Sequence, residues 1–198
     1  CFGCNVFGNV IDFVMNFEKL DFPEALEKLA DRGGVKLVFE GGRGPSPQDK
    51  GIRAQALEMM EWAQRGFVAN LAKHEPAVKY LDDRGLGGEV AEKWGIGYAP
   101  DDYHRQSDAA LKKFSEEVIL ATGLCRKGDR GWYDFFRGRV TFPIRDARGR
   151  IVGFGARLLD PDAKAQKYVN SAEGLLFSKS KLLYGVDRLA QSQKVKET

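Results

Sequence analysis

The sequence predicts an α+β chain: a helical N-terminal segment, a linker, and a mixed domain that ends in a basic β-sheet. Three observations carry this. Apolar residues recur at helical spacing through the first third. Glu40-Gly41-Gly42-Arg43-Gly44-Pro45-Ser46-Pro47-Gln48-Asp49 combines glycine and proline, which together disfavour helix and sheet. Within the stretch from Phe135 to Leu159, two apolar runs rich in β-branched and aromatic residues flank Asp146-Ala147-Arg148-Gly149-Arg150, the pattern of a β-hairpin.

Taken in order, the chain opens on Cys1-Phe2-Gly3-Cys4. A C-x-x-C pair supplies half of a tetrahedral zinc site, and two reduced thiols are the other reading. His74 and His104 are remote, and neither is assigned chemistry. Val10, Ile11, Phe13, Val14 and Phe17 predict a helix with Asn9 as N-cap. A second helix follows, with Asp21 as cap, Pro23 in the first turn, and Gly33-Gly34 as the stop. After the linker, Ile52, Ala56, Met60, Ala63, Phe67 and Leu71 predict a long helix from about Gly51 to Lys73. Met59 and Met60 read as core fillers. A further helix is expected over Ala77 to Asp83 with Gly85 closing it, where Arg84 reads as complementing the helix C-terminus, contact with nucleic acid being the other reading. Ser107 to Phe114 and Ser115 to Ala121 predict two short helices, Trp132 to Phe136 a strand, and Asp187 to Gln193 a last helix. Cys125 reads as a buried structural thiol.

The net charge of +3 conceals an asymmetry. Residues 125–198 hold 16 Lys and Arg against 8 Asp and Glu, a net of +8, whereas residues 1–124 carry a net of −5. A polyanion therefore meets the C-terminal part. Apolar content of 43% is ordinary for a globular core, and no run approaches the ~18 apolar residues of a membrane span. Three cysteines form no disulfide framework, so a reducing cytoplasm is expected. There is no G-x-x-x-x-G-K-[ST] for a P-loop. Gly153-Phe154-Gly155 lacks the third glycine and following helix of a dinucleotide fold, so close backbone approach or sheet bending is the expected use. Phosphoryl transfer needs clustered carboxylates for divalent metal ions; the basic half shows no E-G-x-x-D, and its one D-x-D, Asp160-Pro161-Asp162, reads as turn or strand-edge acids with no convergent partner.

Three ordered blocks over about fifty residues resemble one family: F-R-G-R-V-x-F-P-I-R-D-x-x-G-R-I-V-G-F-G-x-R-x-L from Phe136, K-Y-x-N-S from Lys167, and L-F-x-K-x-x-x-L-Y-G from Leu176. They are similar to the start of the RNA polymerase core of bacterial replicative DNA primase, DnaG type. Y-L-x-x-R-G-L from Tyr80 and the run to Pro100 add a fourth block, with Trp94 in place of the usual Phe. C-F-G-C-x-x-x-G-x-V-I-x-F resembles the end of the primase zinc-binding domain, whose other cysteine and histidine ligands lie upstream.

The resemblance implies residues 1–39 as the C-terminal part of a CHC2-type zinc-binding domain, 40–50 as a flexible linker, and 51–198 as the N-terminal subdomain of the polymerase core. It implies synthesis of short RNA primers on single-stranded DNA, a nucleotidyltransferase reaction in the cytoplasm. Zinc would be held in part by Cys1 and Cys4. Magnesium or manganese would be held by a TOPRIM subdomain expected after L-Y-G, so this fragment alone is expected to be inactive. Implied partners are the template, ribonucleotides, the RNA–DNA hybrid, a replicative helicase and single-strand-binding protein. The candidate template and nucleotide contacts are Arg137, Arg139, Arg157, Lys167 and Lys179, with Tyr168 as a stacking face and Asn170 as an amide. The resemblance supports Arg139 most directly, then Lys167 and Lys179. Arg145, Arg148 and Arg150 read as solvated charge near the hairpin turn. A stand-alone single-strand-binding module and the primase part of a phage or plasmid primase–helicase are the alternatives; a downstream metal-carboxylate motif or P-loop tells them apart.

Overall fold

The computed structural model describes residues 8–18, 20, 22–35, 37, 47–160 and 162–188. Cys1, Cys4, linker positions 40–46 and most of the helix expected over 187–193 lie outside these residues. The chain divides into two compact units, one up to Pro47 and one from Gln48.

The first unit pairs α1 (Val10–Glu18) with α2 (Phe22–Gly33). Asn9 caps α1 as expected: its Oδ1 accepts from the N–H groups of Ile11 (2.8 Å) and Asp12 (3.1 Å). Asp12 Oδ2 accepts from the Asn9 N–H at 2.8 Å, which completes a reciprocal capping box. Gly34, at φ +65°, ends α2, and the Val35 N–H reaches back to the Ala30 carbonyl.

The second unit opens with α3 (Pro47–Leu71). This helix starts four residues ahead of the expected Gly51, because proline suits the first helical turn, where its missing N–H has no partner to lose. Then come α4 (Glu75–Asp82), α5 (Gly88–Trp94), β1 (Gly97–Ala99), α6 (Arg105–Leu111), α7 (Glu116–Thr122), β2 (Cys125–Gly128), β3 (Gly131–Asp134), β4 (Arg139–Arg145), β5 (Ile151–Leu158) and β6 (Tyr168–Asn170). A 3-10 turn spans Lys179–Lys181. His74 caps α4, its Nδ1 accepting from the Ala77 N–H at 3.2 Å. The strand expected over Trp132 to Phe136 stops at Asp134, whose N–H bonds the Tyr103 carbonyl, and the chain then turns at Gly138 (φ +61°).

The main sheet runs β1-β4-β5-β6, antiparallel throughout, and β2-β3 form a second hairpin. Side-chain alternation gives the main sheet two faces. One carries Phe154 and Ala156, which pack with Met59, Met60, Ala63 and Phe67 of α3, Val118 and Ile119 of α7, and Leu124. The other carries Tyr98 and Val140, which pack with Ala77 and Leu81 of α4 and Ala91 of α5. The sheet is thus enclosed between helices on both faces, an α+β arrangement. Gly153 is where a backbone comes close: a Cβ there would sit 2.8 Å from the Phe177 ring.

Asp146 organises the hairpin turn. Its Oδ1 accepts from the N–H groups of Arg148 and Arg150, both at 3.0 Å, and its Oδ2 pairs with Arg150 Nε at 2.8 Å. Arg145 Nη1 donates to the Gly149 carbonyl at 2.6 Å. Arg145 and Arg150 therefore clamp the turn rather than standing as loose solvated charge.

Candidate nucleic-acid interface

Strand register places Arg157 of β5 opposite Tyr168 of β6. Arg157 extends from the sheet face that carries Val140 toward the end of α4. Tyr80 lies in the last turn of α4 and Arg84 two residues past its end, its Nη1 donating to the Tyr80 carbonyl at 3.2 Å. The four side chains interleave. The Arg84 guanidinium lies 3.7 Å from the centre of the Tyr80 ring, and that of Arg157 lies 4.8 Å from the same ring. Arg157 is also 5.5 Å from Tyr168, with Lys167 Nζ 5.8 Å from that ring. Cations over aromatic faces attract one another and hold the arginines extended.

Tyr80, Arg84, Arg157 and Lys167, with Leu158, Leu159, Asp160, Ala163 and Ala165, line a cleft of about 380 Å³. Tyr80 Oη and Arg157 Nε are enclosed and have no hydrogen-bond partner among the described residues. Asp160 is the one acid among the cleft's lining residues. A guanidinium forks onto phosphate, an ammonium adds a mobile point charge, and an exposed tyrosine offers a stacking face. The geometry thus suits a flexible polyanion with planar groups.

Of the candidate residues read from the sequence, Arg157, Lys167 and Tyr168 come together here. The others lie elsewhere. Arg139 is only 7% exposed, and its Nη1 donates to the Lys167 carbonyl at 3.3 Å. Burial, and next the charge of Arg137, lower its pKa below the usual guanidinium value. Its contact shapes the strand that presents Lys167. Arg137 lies with its guanidinium 4.1 Å from the Tyr103 ring and donates to the Asp134 carbonyl. Asn170 holds its amide oxygen over Gly155, and the Lys179 N–H bonds Glu173 Oε1 at 2.8 Å; neither residue lines the cleft. The zinc candidates Cys1 and Cys4 lie outside the described residues. Tyr80 and Arg84 were the residues to find. Their helical spacing was visible, but the sequence does not show that α4 ends beside β5.

Known proteins sharpen this. The N-terminal domain of the DNA primase catalytic core matches residues 67–190, and the CHC2 zinc finger matches residues 1–44. The first of these defines the class: the N-terminal domain of a primase catalytic core. The chain is 39% identical over 194 residues to the DNA primase of Escherichia coli K12, covering 94% of this chain and 32% of that protein. The Aquifex aeolicus primase structure, with zinc-binding and RNA polymerase domains, matches at 31% identity with a TM-score of 0.65 over 99% of this chain and 46% of that one. The RNA polymerase domain of Mycobacterium tuberculosis primase, solved with a double-stranded DNA carrying a 6-nucleotide overhang, matches at 36% identity and a TM-score of 0.64. That match covers 68% of this chain and 43% of the other. The chain belongs to the DnaG-type bacterial DNA primase family. It spans about a third of the length of the curated relative from E. coli. The zinc-finger match supports zinc as a metal of this family.

Proposed function

We propose that the whole protein is a DNA-dependent RNA polymerase that makes short RNA primers on single-stranded DNA for replication, and that this chain supplies the template- and nucleotide-binding surface. One observation carries the proposal: the cleft lined by Tyr80, Arg84, Arg157 and Lys167, with the Tyr168 ring beside Arg157 and Lys167. Nucleotidyl transfer needs carboxylates that hold magnesium or manganese. Among the described residues no group of three or more His, Cys, Asp or Glu converges to hold a metal. We assign the metal chemistry to a TOPRIM subdomain of the whole protein, and assign residues 1–39 to a zinc-binding domain, 40–46 to a linker and 47–198 to the start of the polymerase core. Replicative helicase and single-strand-binding protein are the partners this reading implies, within the cytoplasmic replication machinery.

The test is fluorescence anisotropy of labelled single strands over a salt series. Each phosphate contact releases counterion, so removing one lowers the log–log slope by about 0.7. Arg157→Ala, Arg84→Ala and Lys167→Ala should each weaken binding to every sequence and flatten the slope. Lys127→Ala is the control, because that residue lies on β2 in a 2.9 Å exposed ion pair with Glu116. If the control weakens binding as much as Arg157→Ala, the attraction is diffuse charge and the cleft assignment fails.

A further inference from the structure

A second cavity lies away from the basic cleft, between α3, α6 and the ends of β1 and β3. Its volume is about 180 Å³. Ala63 and Phe67 of α3, Ala99 of β1 and Phe136 form a floor, each of them buried. Phe67 and Phe136 are held edge-on by Phe154, at ring distances of 5.3 and 6.2 Å, so the floor is preformed. Trp62 forms one wall. Gln106 of α6 lines the space, and its Nε2 is an enclosed donor with no hydrogen-bond partner among the described residues. Asp134 is also on the lining, but its two carboxylate oxygens already accept from the N–H groups of Gln106 and Ser107, both at 2.7 Å. The site therefore presents an aromatic floor, the unpartnered Gln106 donor, and the opposed charges of the Asp134 carboxylate and the Arg105 guanidinium, which donates to Asn70 Oδ1 at 3.4 Å.

We propose that this cavity is a binding site for an uncharged, single-ring aromatic molecule carrying one hydrogen-bond acceptor, seated on Phe67 and Phe136 with its acceptor on Gln106 Nε2. An engineered cavity of about 150 Å³ with apolar walls takes up benzene, so the size matches one ring. A buried donor left unpaired is costly, and an acceptor on the ligand removes that cost. Ligand pockets share this build, mostly apolar with a few placed polar groups.

Gly66 makes the proposal testable. It lines the cavity from α3, and a Cβ built on it meets nothing within 4 Å. Gly66→Leu therefore fills the space while favouring the helix. The probe is acetophenone, which has a carbonyl acceptor and no donor, titrated into the isotopically labelled 198-residue chain and followed by amide NMR. Amide shifts should concentrate at residues 62–70 and 105–109, with a dissociation constant on the order of millimolar. Gly66→Leu should weaken binding by about tenfold or more, as should Ala109→Met from the opposite wall. Gln106→Met should weaken acetophenone but leave ethylbenzene, which has no acceptor, unchanged. Circular dichroism reports folding of each variant. Binding that survives both filling variants in folded protein, or shifts centred elsewhere, overturns the site. Equal losses for acetophenone and ethylbenzene in Gln106→Met overturn the role of the amide.

Discussion

Asp134 shows how one side chain joins two elements. At the end of β3, its carboxylate takes the N–H groups of Gln106 and Ser107 near the start of α6, and it is 4% exposed. Those N–H groups have no partner inside the helix, so the carboxylate satisfies them. Asp134→Ala should cost about 1–3 kcal/mol in urea unfolding, since it strands two donors. Burial, the largest influence, lifts the Asp134 carboxyl above the ordinary carboxylate value, while the two N–H groups pull it the other way. The folded chain thus holds this proton more tightly than the unfolded chain. That contribution is full below the unfolded value of about 3.9 and is lost as pH rises through the folded one. Asp134→Asn carries no such proton. The stability of the parent relative to Asp134→Asn should therefore fall as pH rises above about 4, and a difference independent of pH would refute the shift. Nothing in the sequence marked this aspartate out, because the residues it bonds lie 27 and 28 positions upstream.

Elements with a long periodic face were legible, and those built by contact were not. The helices of α3 and α4 follow from apolar spacing, and the β4–β5 hairpin follows from its two runs and the glycine turn. Strand β1 spans only three residues, too few for alternation to show, and every one of them is buried. Its existence depends on pairing with β4, from Gly97 opposite Thr141 to Ala99 opposite Arg139. Helix α5 spans seven residues, and the sequence analysis assigned that segment no helix. Gly97 explains why β1 lies where it does. A Cβ there would stand 2.6 Å from Phe67 Cβ, 2.8 Å from the Phe67 carbonyl carbon and 2.9 Å from Thr141 Oγ1. Gly97→Ala should push α3 off the sheet and lower stability by about 1–3 kcal/mol, read by urea unfolding. An unchanged midpoint would mean that the helix and strand have slack between them. The cleft shares this pattern: Arg157, Lys167 and Tyr168 were legible from one contiguous basic stretch, but Tyr80 and Arg84 required the packing of α4 beside it.

At the scale of the molecule, charge and composition divide the work. Residues 125–198 carry the net +8, and the cleft lies wholly within the unit that starts at Gln48. Residues 1–124 carry a net of −5, which opposes a polyanion at long range but is screened beyond about 8 Å at physiological salt. On the proposed function the phosphate contacts form in the cleft and are short-range, so the number of counterions released is expected to be set there and not by the first unit. Positions 40–46 hold three glycines and one proline among seven residues, a composition that favours protease access. Brief limited proteolysis should cut first within that stretch and leave a product that starts near Pro47. We expect this product to bind single-stranded DNA with the same log–log salt slope as the intact chain, to within about 0.7, the value of one contact. Its affinity should be equal or slightly higher, because acidic residues are lost with the first unit. A slope lower by two contacts or more would place part of the DNA path on the residues removed. First cleavage between Arg139 and Leu158 would instead show that the β4–β5 hairpin is the weak point of the molecule, against the clamp that Asp146, Arg145 and Arg150 make at its turn.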